Sequence, residues 1–198
     1  AVVAAARIAA ALEDMAQQVV LCGARHQAFD PPYTTIHVGS LHGGTALNFV
    51  PDHATLEFEI RYTPGTDVVA MLRQTDAIID DEQRRLKAQA PEAGISVEDM
   101  ASYPALMTDA AGPAVTAVQH LANGGSGATT LSFGTEAGLY AQAGIPTGSP
   151  PLVCGPGDSA RAPQADEWIG VNELAAADAM MRRLAAELGK PAEEWIGR

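Results

Sequence analysis

Ala54-Thr55-Leu56-Glu57-Phe58-Glu59-Ile60-Arg61-Tyr62 alternates apolar and polar residues without a break. Successive strand side chains point to opposite faces, so Leu56, Phe58 and Ile60 make a buried face and Thr55, Glu57, Glu59 and Arg61 a wet one. Pro64-Gly65 closes the strand. Asp67 then serves as the N-cap of a helix running to about Ala90, with Val68, Met71, Leu72, Ile78, Ile79 and Leu86 towards the core. Upstream, Tyr33 to Ser40 is rich in Thr, Ile and Val and reads as a neighbouring strand after the Pro31-Pro32 break. A helix over roughly 1–20 carries Ile8, Leu12 and Met15 at helical spacing and ends near Cys22-Gly23, where the glycine suits a C-cap. Ile95 to Met100 reads as a further short strand. The order αββαβ over 1–103 needs one more leading strand, just before Ala1, to make a two-layer α/β module of four antiparallel strands under two helices.

After Tyr103-Pro104 the rhythm changes. Helix (about 110–122), strand (Ala128 to Ser132), helix (Glu136 to Ala143), strand (Leu152 to Cys154) and helix (about 171–188) alternate, as in a mixed or parallel sheet with ligands at strand C-terminal ends. The expected fold is α/β in two domains, 1–103 and 104–198.

The net charge of −12, from 24 Asp+Glu against 12 Lys+Arg, excludes a phosphate-binding footprint and with it nucleic acid. No apolar stretch approaches the roughly 18–20 residues that cross a bilayer, which argues against a membrane span. Cys22 and Cys154 are distant and not in a CxxC pair, so a reducing, cytoplasmic setting is expected. The opening Ala-Val-Val-Ala has no initiator Met, cap or signal peptide, and reads as a truncated chain entering in mid-helix.

Familiar catalytic signatures do not occur. There is no HExxH, and His26, His37, His42, His53 and His120 form no i, i+4 pair. Ser126 and Ser159 lack a nucleophile-elbow context. Cys154, at the end of an expected strand, reads as a buried small hydrophobe. Gly155-Pro156-Gly157-Asp158-Ser159-Ala160 imitates a dinucleotide fingerprint, but Asp158 would meet the pyrophosphate and Arg161-Ala162-Pro163 opens no helix.

Two segments offer more. Leu41-His42-Gly43-Gly44-Thr45-Ala46-Leu47-Asn48-Phe49-Val50-Pro51 has a flexible Gly-Gly and an amide, Asn48, able to donate and accept hydrogen bonds. Ser132-Phe133-Gly134-Thr135-Glu136-Ala137-Gly138-Leu139 puts Gly134-Thr135 at a helix start, where free N–H groups can hold a carboxylate or oxyanion. By chemistry alone each is as good a structural turn as a binding loop.

These segments, with Phe58-Glu59-Ile60-Arg61 and Val153-Cys154-Gly155-Pro156-Gly157, are similar in order and spacing to the second half of the di-zinc amidohydrolases of the acetylornithine deacetylase and succinyl-diaminopimelate desuccinylase type. The resemblance implies that 1–103 is most of a lid and dimerisation domain, and 104–198 the C-terminal part of a metallohydrolase catalytic domain. It implies an N-acyl amino acid substrate, N-acetylornithine by preference, and a homodimer formed through the lid. Asn48 and Arg61 would reach the substrate from the lid, Arg61 pairing with its carboxylate; Gly134 and Thr135 would bind it from the catalytic domain. Zinc, or cobalt, would activate the attacking water in a complete enzyme.

This chain departs from that pattern at the metal. Nothing in it corresponds to the upstream ligands and glutamate base. In Gly157-Asp158-Ser159-Ala160-Arg161-Ala162-Pro163-Gln164-Ala165-Asp166-Glu167, Pro163 occupies the expected histidine position, and proline cannot ligate zinc. The chain alone is therefore expected to hold no metal and to be inactive. The alternative is a non-catalytic dimerising or amino-acid-binding module.

Overall fold

The computed structural model describes residues 1–123, 127–144, 150–162 and 164–189. They form two compact units, Ala1–Ala105, which is mixed α/β, and Leu106–Arg198, which is helical among the described residues.

In the first unit, α1 (Val2–Cys22) is followed by β1 (Thr35–Gly43), β2 (Ala54–Arg61) and α2 (Val68–Gln89). The strands pair antiparallel; α1 packs on the ribbon and α2 packs against α1, with Met71 joining the same cluster. Ile8, Leu12 and Met15 of α1 meet Ile36 of β1 and Met71 of α2, flanked by Val38, Leu56, Phe58 and Ile60. The wet face is the complementary set, with Glu57, Glu59 and Arg61 exposed. Between Val38 and Ser40 the register shifts by one residue, leaving Gly39 without an opposite number.

The α2 stripe differs from the expectation at Leu72, which is exposed. The buried row is Met71, Thr75 and Glu82, with Ile78 and Ile79 partly covered. Two polar residues sit inside because both have partners: Thr75 Oγ1 donates to the Met71 carbonyl at 3.1 Å, and Arg7 Nη1 donates to Glu82 Oε1 at 2.8 Å. Asp67 caps α2, accepting from Ala70 N at 2.9 Å. Gly23 does end α1, but in an extended conformation. It is needed for room: a Cβ there would strike the Val19 carbonyl oxygen that its own N–H approaches to 2.8 Å. Gly65, at φ +86°, does need the left-handed freedom of glycine.

Of the three strands expected within 1–103, two are formed. Ile95 to Met100 joins no ladder, and Ile95 N donates to the Gln83 side chain at 2.6 Å.

The second unit contains α3 (Pro113–Leu121), α4 (Ala137–Gln142), a 3₁₀ turn (Ser159–Arg161) and α5 (Val171–Leu188). Its expected strands at 128–132 and 152–154 are not formed; among the described residues of this unit no two segments pair as a ladder. A short apolar run becomes a strand only beside a neighbour. Cys154 is exposed, correcting its expected burial, with Sγ 4.0 Å from Met180 Sδ. Among the described residues of this unit Val115 and Leu121 are the buried hydrophobic side chains, and Arg183 Nε donates to the Leu121 carbonyl at 2.6 Å, closing the C-terminal end of α3. No described helix is long and apolar enough to cross a membrane.

Candidate functional site

The outer face of the β1–β2 ribbon is the polar surface of the first unit. Thr35, His37, Ser40 and His42 stand opposite Arg61, Glu59, Glu57 and Thr55. Arg61 Nε donates to Glu59 Oε1 at 2.8 Å, Ser40 Oγ to Glu57 Oε2 at 2.8 Å, and His53 Nε2 lies 3.2 Å from Thr55 Oγ1. The Arg61 side chain remains 55% exposed, so its charge is available at the surface even though it is paired.

Asn48 is exposed on the loop joining Gly43 to Ala54. That loop borders an open cavity of about 430 Å³ lined by Val2, Gly43, Gly44, Thr45, Leu47 and Phe49. Leu47, Phe49 and Val50 project into solvent, while the Ala1 amino group donates to the Pro51 carbonyl at 3.2 Å and ties the loop to the start of α1. Arg61 pairs with Thr35 at the opposite end of the ribbon. Seven residue steps from Ala54 to Arg61, at roughly 3.3 Å each, separate the two ends by about 23 Å.

Gly134 and Thr135 lie in the second unit, just before α4. Thr135 Oγ1 accepts from Ala137 N at 3.2 Å, a local side-chain turn just ahead of Glu136, the N-cap residue of that helix.

A zinc ion does not fit the described residues. No three of His, Cys, Asp and Glu among them converge as a ligand group. Pro163 lies outside the described residues, and a proline side chain has no donor atom. The described flanks of that turn bond to themselves: Asp158 Oδ1 accepts from Ala160 N at 2.9 Å, and Gln164 Nε2 donates to the Ala160 carbonyl at 2.7 Å. Arg161 forks onto Glu173 across the turn, a cluster that motif reading had passed over. The one readable signal was the glutamate three residues after Gly170, half of a capping box.

Residues 1–87, which span α1, β1, β2 and nearly all of α2, match the peptidase dimerisation domain. The first unit is therefore similar to this dimerisation domain over nearly its whole length. It is similar to the acetylornithine deacetylase of Myxococcus xanthus, 28% identical over 167 residues, covering 81% of this chain and 40% of that protein. It is likewise similar to the acetylornithine deacetylase of Photorhabdus laumondii, 30% identical over 146 residues, covering 73% of this chain and 35% of the relative. The chain thus spans less than half the length of the curated relatives it matches.

Proposed function

We propose that this chain is the dimerising and substrate-gripping part of a zinc-dependent amidohydrolase that releases ornithine and acetate from N-acetylornithine. Residues 1–103 form most of the lid, and 104–198 the second half of the catalytic domain. The observation that carries this reading is the coincidence of the dimerisation-domain match over 1–87 with the two-layer αββα unit. The similarity to relatives named acetylornithine deacetylase supports this substrate class.

Each residue then has a limited task. Arg61 receives the substrate carboxylate on its exposed guanidinium, exchanging Glu59 for the ligand. Asn48 offers its amide to the acyl group from the other end of the ribbon. A homodimer through the lid would let two copies serve one substrate. Gly134 and Thr135 present backbone N–H groups beside α4. The chain supplies no metal set of its own, and by itself it hydrolyses nothing. Pro163 and the self-bonded turn favour one second reading, a dimerising module that keeps an amino-acid surface without the metal step.

Two measurements test this. Sedimentation at micromolar concentration should give a dimer; a well-folded monomer throughout sinks the lid assignment. N-acetylornithine titrated into the chain should perturb Arg61, and Arg61→Ala should weaken binding by roughly ten- to a hundredfold, the worth of a charge-assisted contact. Stoichiometric zinc with chelator-sensitive turnover in the unmodified chain would overturn the inactive-fragment reading.

A further inference from the structure

Around the turn where a histidine was expected, the chain has built something else. Arg161, the last residue of the 3₁₀ turn, directs two nitrogens at one carboxylate: Nη1 donates to Glu173 Oε2 at 2.9 Å, and Nη2 to Oε1. A planar fork on a planar carboxylate fixes orientation as well as distance, which a lysine could not do. The Trp168 ring lies against the same guanidinium, its centroid 4.2 Å from Cζ. Glu173 Oε2 also accepts from Gly170 N at 2.7 Å, so the same carboxylate that closes the turn caps α5. Glycine has no side chain to reciprocate, which leaves Glu173 as the side-chain cap.

The bland reading is a surface ion pair worth little. Three features distinguish this one. Its side chains are only 20% and 29% exposed, it is stacked on an aromatic ring, and its carboxylate holds a helix N-terminus as well.

We propose that Arg161, Trp168 and Glu173 form a metal-independent clasp. They hold the flanks of the turn, 158–162 and 164–173, against the start of α5 without any ion. A donor lost at Pro163 therefore leaves this part of the fold standing. In chains that bind an ion at this turn, the ion would contribute that restraint; here a guanidinium supplies the positive charge, fixed in the sequence. The clasp goes beyond the substrate reading and stands whether or not an N-acyl amino acid binds.

Hydrogen exchange read by mass spectrometry on the whole 198-residue chain tests it. With a chelator, and separately with excess Zn²⁺, peptides covering 158–175 should exchange as in the untreated protein. In Arg161→Ala they should exchange several-fold faster, and in Arg161→Lys, which keeps the charge without the fork, by an intermediate factor. Peptides from α1 and α2 should not change in either variant, which reports that the protein is folded. Faster exchange on chelation, or slower exchange on adding Zn²⁺, would overturn the proposal, because the turn would then depend on an ion. Unchanged exchange in Arg161→Ala overturns it from the other side. Should that variant lose the whole second unit, Glu173→Gln decides: it keeps the shape, removes the charge, and must still release 158–175.

Discussion

The pair between Arg7 and Glu82 makes an asymmetric prediction. The Glu82 side chain is 4% exposed, whereas its partners Arg7, at 2.8 Å, and Arg85, at 3.6 Å, are 49% and 64% exposed. Replacing Arg7 by Met leaves a buried carboxylate with only the longer contact to Arg85. Removing one partner of a fully buried pair costs about 3–5 kcal/mol. Because Arg85 remains, and Arg7 is half in water, the expected cost is lower, about 1–3 kcal/mol. Replacing Glu82 by Met leaves two arginines that solvent can rehydrate and adds apolar area beside Ile78 and Ile79. That change should fall within about 1 kcal/mol of neutral, in either direction. Native-state hydrogen exchange of α1 and α2 peptides measures both. At about 1.4 kcal/mol per factor of ten, Arg7→Met should speed exchange roughly five- to 150-fold, and Glu82→Met by less than about fivefold. If Glu82→Met were the more damaging of the two, the placement of the desolvation cost on the carboxylate would be wrong.

Leu12 is fully buried at the centre of the first unit, so Leu12→Ala should cost about 2–5 kcal/mol, read from the same α1 peptides. Asp67→Ala removes the oxygen that holds Ala70 N, and should loosen the first turn of α2 by about 1 kcal/mol, whereas Asp67→Asn should lose less. The Glu173 carboxyl is held at about 2, below its ordinary 4.5, first by Arg161 and then by the Gly170 N–H. A depressed carboxyl stabilises above its unfolded value and loses that contribution as pH falls through the folded one, so, after correction for intrinsic exchange rates, protection of 158–175 should stay flat from neutrality to about pH 5 and be lost between about pH 4.5 and 2.

The two-layer unit could be read from the chain because its signals agreed. Leu56, Phe58 and Ile60 alternate, Ile8, Leu12 and Met15 recur at helical spacing, and Asp67 stands one residue before a helix. Misreadings fell where partners decide. Thr75 and Glu82 look solvent-facing until Met71 and Arg7 satisfy them, and their burial turns Leu72 outward. The runs at 95–100, 128–132 and 152–154 have strand composition, but composition cannot provide a neighbour to pair with. Among the candidate site residues, nothing in the sequence told that Asn48 and Arg61 occupy opposite ends of one ribbon, because that separation follows from hairpin register. The Arg161–Glu173 clasp was invisible for a similar reason: its members are twelve positions apart and meet only across a turn.

The unpaired residue at Gly39 decides which face the end of β1 presents. Ile36 and Val38 lie on the helix side, and even spacing from them would carry Ser40 and His42 inward and Leu41 out to water. The extra residue reverses the parity, seating Leu41 beside Leu56 and returning Ser40 and His42 to the wet face with Glu57 and Thr55. Replacing Gly39 with another small residue leaves that count intact. Deleting it would leave Val38 next to Ser40, and ordinary alternation would keep the same partners, Ser40 with Glu57 and Leu41 with Leu56, so the loss removes the kink without inverting a face. What would invert the end of β1 is straightening the bulge with Gly39 kept, which would turn His42 to the helix side and re-aim the Asn48 loop.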